Sequence, residues 1–274
     1  MDTKLFICVR GPWQNTPGAL QMGLYLAQAL EWETLLLGLS GEQRNTDTLH
    51  THLEDVRSHL PGNRERFSVR TMNGDPSKAI LSCVGESTGL VVTGPVGRSS
   101  LLWRLWGPVA GDLLRDLRSS LLFVPGEAPP AIRHILLAIG ALNYSSIAVE
   151  WGLLFARAVN ASVTLLHVVH PNTHDPSTMQ VPTNLADFLA SETIFARNFR
   201  NALTRLQEQN VDVTPRIRVG HPLKEILAEI DSAEYDLLIL GSHYSASHFA
   251  QLVGGISQSA VREASIPILV TRNR

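Results

Sequence analysis

Apolar residues in this chain fall into short unbroken runs, separated by longer stretches in which they return every three or four positions. Leu5–Val9, Thr34–Leu39, Phe67–Met72, Leu90–Thr93 and Leu121–Val124 form a first series of runs. His134–Ile139, Val163–Val169, Val213–Val219, Asp236–Leu240 and Ile268–Thr271 form a second. Runs of this length, bounded by turn residues, predict strands buried on both faces, as parallel strands are. The intervening stretches predict helices. Thr16–Pro17 supplies a cap and a first-turn proline for a helix that buries Leu20, Leu24, Ala27 and Leu30. Thr46–Leu60, Ser77–Val84 and a segment opening at Gly107–Pro108 follow. In the second series a helix runs from Ser145 with Ala148, Trp151, Leu154, Phe155 and Ala158 inward. Ala190–Gln209 and Leu223–Ile230 are the next helices, and a last one carries Ile256, Ala260, Val261 and Ala264 up to Pro267. The polar stretch from His170 to about Asp187, with three prolines, reads as a long surface loop.

The pattern occurs twice. Thirteen residues separate Gly94 from Gly107 and Gly241 from Gly254; thirteen more lead to Ser120 and to Pro267. Gly74 precedes Gly94 by twenty residues, and Gly220 precedes Gly241 by twenty-one. The chain is thus read as a tandem duplication with two domains, residues 1–128 and 131–274, joined by the short proline-rich Glu127–Ala131. Alternating strands and helices make each domain an α/β, Rossmann-like unit: a five-stranded parallel sheet with helices on both faces and right-handed crossovers.

Composition narrows the function. At 44% hydrophobic and 18% charged residues, each half can bury an ordinary core. The net charge of -2 is spread evenly over both halves, so there is no electrostatic footprint for nucleic acid or an anionic membrane. Met1–Lys4 runs straight into a strand without signal-peptide architecture, and no apolar stretch approaches the ~20 residues of a membrane helix. A soluble cytoplasmic protein is expected. Cys8 and Cys83, one in a strand and one in a helix, are expected as reduced, buried thiols. His170, His221 and His243 each follow a strand of the second half, but they lack metal-ligand spacing, and no metal site is expected. No Ser/His/Asp or Cys/His arrangement and no carboxylate pair offers catalysis.

Both halves resemble the universal stress protein family in its tandem two-domain form, over essentially the whole chain. HILLAIGALNYSSIAVEWGLLFARAVNASVTLLHVV (134–169) is similar to that family's first βαβ unit, and RVGHPLKEIL (218–227) and YDLLILGS (235–242) to its later strands and turns. The family's nucleotide signature is Gly-x2-Gly-x9-Gly followed by Ser or Thr, with an Asp closing the first strand. In the first half Gly94, Gly97 and Gly107 match it, while Pro108 replaces the hydroxyl residue and Arg10 the Asp. In the second half Gly241 and Gly254 match, Tyr244 replaces the middle glycine, Gly255 the hydroxyl residue and Gly140 the Asp.

The resemblance implies a crevice at the carboxyl ends of the strands where the strand order reverses, with glycines and a helix N-terminus facing phosphate. The degenerate candidate positions are Arg10, Gly11, Gly94, Gly97, Arg98 and Gly107 in the first half. In the second they are Gly140, Gly241, Ser242, Gly254, Gly255 and Ser257. Arg10, Arg98 and Arg104 could grip phosphate, whereas Trp13, Trp103 and Trp106, which fall on the same loops, could stack on adenine or plug the pocket. The expectation is a non-enzymatic stress-response protein without a fixed cofactor, acting through conformation or protein contacts. One alternative is an ATP-binding member that uses the first half, with slow hydrolysis; another is a regulatory module for a transporter or kinase. The family also implies that the final strands 121–124 and 268–271 pair in an intramolecular pseudo-dimer, and that the chain forms a homodimer and meets an unidentified protein partner.

Overall fold

Short apolar runs become central strands because both faces of each are covered. The computed structural model describes residues 4–10, 18–40, 46–94, 107–140, 145–170, 180–241, 257, 259–261 and 263–272, with backbone alone for 107–110 and 145. The chain divides into two compact units, Met1–Pro129 and Pro130–Asn273. In the first unit the elements are β1 (Lys4–Arg10), α1 (Gly18–Leu30), β2 (Glu33–Ser40), α2 (Thr46–His59), β3 (Phe67–Asn73), α3 (Pro76–Val84), β4 (Gly89–Thr93), α4 (Gly107–Asp116) and β5 (Ser120–Phe123). In the second they are β6 (His134–Ala138), α5 (Ser145–Val159), β7 (Ser162–Val169), α6 (Leu185–Ala190), α7 (Ile194–Glu208), β8 (Val213–Val219), α8 (Pro222–Ser232), β9 (Leu237–Gly241) and β10 (Ile268–Thr271). Within the first unit the strand order is β3-β2-β1-β4-β5, and within the second β8-β7-β6-β9-β10. These pairings are parallel. Each unit is therefore a Rossmann-like α/β domain.

Leu5, Ile7, Leu90, Val91 and Val92 in the first unit, and Ile135, Leu136, Leu137, Leu237, Leu238 and Ile239 in the second, have no exposed surface. Truncating one such leucine or isoleucine to Ala costs about 2–5 kcal/mol. The outlying strands β3 and β8 alternate between covered and exposed residues, as strands with one neighbour do.

Three expectations are corrected by the fold. The helix expected over 190–209 starts later, at Ile194, and a separate short helix, α6, precedes it. Asn184 caps α6 by accepting from the Asp187 N–H, and Thr193 caps α7 by accepting from the Ala196 N–H. The backbone N–H of Ser191 bonds back to Phe188, closing α6 without any Gly or Pro, and α6 also shortens the loop expected up to Asp187. On α1, Leu24 and Leu30 are only half-buried, while Met22 and Leu26 are buried. A Cβ on Gly23 would lie 2.7 Å from Ile7, so the helix turns its glycine onto the sheet and carries the buried stripe with it. On α5, Leu154 is 36% exposed rather than inward. It shares its helix face with Glu150, which pairs with Arg205, and lies one turn from Arg157, which reaches Gln209.

Candidate functional site

Strand order reverses between β1 and β4 in the first unit and between β6 and β9 in the second, and the carboxyl ends of those strands define the candidate crevices. Cys8 lies beside Thr93 in register and Ala138 beside Leu240, so Arg10 and Gly94, and likewise Gly140 and Gly241, arrive at neighbouring strand ends. Arg10 closes β1 and is exposed. Gly107 and Pro108 open α4. Gly241 closes β9 beside Thr271, and Ser257 is buried on the helical stretch before β10. Gly11, Gly97, Arg98, Ser242, Gly254 and Gly255 lie outside the described residues, as do Arg104, Trp13, Trp103, Trp106, Tyr244 and His243.

The two candidate glycines whose surroundings are defined differ. A Cβ on Gly94 would meet the Val124 carbonyl oxygen at 3.1 Å and the Ala19 Cβ at 3.2 Å. The space that glycine saves there is taken by the protein's own β5 exit and α1. A Cβ on Gly140 would meet nothing within 4 Å among the described residues, so none of them demands glycine at that strand end. Beside Gly94, the Thr93 hydroxyl is buried and has no hydrogen-bond partner among the described residues.

Polar chemistry in the second unit concentrates elsewhere. Glu229 on α8 is fully buried and accepts from Arg218 Nε at 2.5 Å, Tyr235 Oη at 2.8 Å and Arg216 Nη1 at 2.9 Å. Burial alone would push this carboxyl up, but the hydrogen bonds from Arg218 and Tyr235 and the two guanidinium charges outweigh it and hold it below the usual carboxylate range. The Tyr235 ring lies 4.4 Å from the His134 ring. His134 Nδ1 faces the Glu234 carbonyl at 3.1 Å and must carry the proton there; in the neutral ring Nε2 then accepts from the Thr164 hydroxyl at 2.9 Å. The Asp236 carboxylate accepts from the N–H groups of Arg133 and His134 at 2.7 and 3.0 Å, tying the entry of β6 to that of β9. These groups form a satisfied structural network and offer no open nucleophile.

His167 on β7 is buried against Phe188 and Phe195, and its Nδ1–H donates to the Ile139 carbonyl at 2.9 Å, beside Gly140. Burial holds this imidazole below its ordinary value, against the pull of that hydrogen bond. His170 and His221 are exposed, and His221 caps α8 without a side-chain bond. Among the described residues no group of three His, Cys, Asp or Glu is placed to hold a metal ion. No helix among them is long and apolar enough to cross a membrane. Cys8 is buried and Cys83, expected as buried, is half-buried; both are free. Burial pushes both thiols up, Cys83 in spite of the neighbouring Arg70.

A search of curated protein sequences returned no match. Among solved structures, a universal stress protein from Archaeoglobus fulgidus DSM 4304 matches with a TM-score of 0.66 and 16% identity, covering 99% of this chain and 97% of that one. A protein from Pseudomonas aeruginosa UCBPP-PA14, also described as a universal stress protein, matches with a TM-score of 0.72 and 14% identity, covering 98% and 92%. Identities this low establish likeness of fold. The Universal stress protein family model itself matches residues 131–272, and the chain belongs to the universal stress protein family.

Proposed function

We propose that this chain is a non-enzymatic stress-response regulator of the tandem universal stress protein type, with degenerate nucleotide pockets, acting through protein contacts. The observation that carries the reading is Gly94. A glycine that cradles phosphate leaves its Cβ space to the ligand, whereas here Val124 and Ala19 occupy that space. Two further features agree. Arg10 ends β1 and Gly140 follows β6 where the family holds a carboxylate, and Pro108 in α4 has no N–H to give. These positions lack the strand-end carboxylate and the hydroxyl after the last glycine that the family's nucleotide pattern uses, which supports a site without ATP as a resident cofactor. The reading that keeps ATP in the first unit rests on Arg10, exposed at the end of β1, as a phosphate grip.

Extraction and chromatography of nucleotide from the purified full-length chain decides between the two. The degenerate reading expects far less than one nucleotide per chain and no phosphate release above buffer. About one ATP per chain contradicts it. A cytoplasmic homodimer is proposed with it, and light scattering at the mass of a single 30.0 kDa chain would overturn that part.

A further inference from the structure

Beyond β5 the backbone does not leave the first unit at once. The Val124 N–H donates to the Thr93 carbonyl at 2.9 Å, and Val124 is fully buried. Two residues later the chain meets the first described turn of α1. A Cβ on Gly18 would clash with the Gly126 carbonyl oxygen and would lie 2.8 Å from the Ala128 nitrogen and 3.1 Å from the Glu127 carbonyl carbon. Main chain against main chain at that separation admits only a hydrogen on Gly18. The next residue, Ala19, crowds Gly94 together with Val124, so β4, the exit from β5 and the start of α1 meet in one joint of small residues.

We propose that Pro125–Ala128 is a strap seated on Gly18, which fastens the connection between the repeats to the crevice end of the first unit. This goes beyond the reading of the pockets and does not depend on any nucleotide. Seating the strap requires the backbone of Gly18 to stay bare, so a side chain there must push Gly126–Ala128 away.

The test uses the full chain and glutamyl endopeptidase, because Glu127 is exposed within the strap. G18A introduces an atom for which the seated strap has no room. G126A makes the same chemical change where a Cβ meets nothing within 4 Å among the described residues. G18A is expected to speed cleavage after Glu127, and amide exchange over 125–128, at least about tenfold, while G126A leaves both within about twofold of the parent. Unchanged rates in G18A, or an equal rise in G126A, would overturn the proposal. Two glycines inserted between Pro129 and Pro130 slacken the connection without touching the seat. Glu127 should stay protected in that variant, and loss of protection would equally overturn the strap.

Discussion

The same contact is built twice with different atoms. Counted from the turn glycines Gly74 and Gly220, Arg70 on β3 corresponds to Arg216 on β8, and Cys83 on α3 to Glu229 on α8. In the second unit Arg216 Nη1 meets the Glu229 carboxylate at 2.9 Å, with Arg218 and Tyr235 adding to it. In the first, Arg70 Nη1 meets the Cys83 sulfur at 3.8 Å. The turn itself reverses the inequality. Asp75 caps α3 by accepting from the Lys78 N–H, whereas His221 in the same place makes no side-chain cap. The second unit thus fastens its outer helix to the sheet through a buried carboxylate, and the first fastens its helix at the turn. The family match falls on residues 131–272, the half that carries the buried carboxylate.

Breaking the buried carboxylate should have the largest effect. Glu229→Ala removes the shared acceptor of Arg216, Arg218 and Tyr235; leaving the buried Tyr235 hydroxyl without it costs about 1–3 kcal/mol, and the lost bonds from the two partly exposed arginines add to that. The loss is read as a lower urea midpoint for amide exchange in the second unit. The partner change in the first unit, Cys83→Glu, faces an exposed Arg70 and should shift stability by no more than about 1 kcal/mol. Comparable losses from both would end the distinction between the units.

Acid should divide the units next. Among the described residues, the two groups that titrate on the acid side with a resolved shift, His167 and Glu229, lie in the second unit, and both are held below their ordinary values. The unfolded chain therefore binds protons first. The stability these groups give is complete above the unfolded values and is lost as pH falls, from about 6.5 for His167 and about 4.3 for Glu229. Exchange in the second unit should accelerate before that in the first, and His167→Gln should remove the earlier part of the slope. A stability curve indifferent to pH between 7 and 5 would contradict the assignment to His167.

Smaller effects sharpen the contrast between the crevices. Gly94→Ala crowds a carbonyl and should cost about 1–3 kcal/mol, while Gly140→Ala meets no described atom within 4 Å and should change the melting temperature little. At the turns, Asp75→Ala should cost about 1 kcal/mol and His221→Asp should return a similar amount. Thermal melts of the four variants test this directly, and equal responses at Gly94 and Gly140 would show the crevices to be alike.

Most of the fold could be read from the sequence because β1, β4, β6 and β9 are unbroken apolar runs and the glycine spacings repeat. The break between α6 and α7 could not. Ser191, Glu192 and Thr193 include no glycine or proline, and only the capping bond to Ala196 shows the boundary. Leu154 was misplaced because an apolar residue at helical spacing says nothing of the Glu150 and Arg157 that share its side of α5. The Glu229 network left one trace, Arg216 and Arg218 two apart on one face of a strand. Their acceptor lies on the following helix, where a lone Glu reads as solvated. The candidate crevices were located by their glycines, but Gly94 and Gly140 look alike in sequence. Val124 and Ala19 crowd the space beside one and no described residue comes within 4 Å of the space beside the other, a difference that arises only on folding.

The most direct measurement is thermal unfolding of the full chain across a titration with magnesium-ATP. A bound nucleotide at one hundred times its dissociation constant adds about 2.7 kcal/mol to the folded state. Crevices that have shed their phosphate-holding groups predict a melting temperature that does not move with ATP up to millimolar concentration. A saturable rise of several degrees would contradict them.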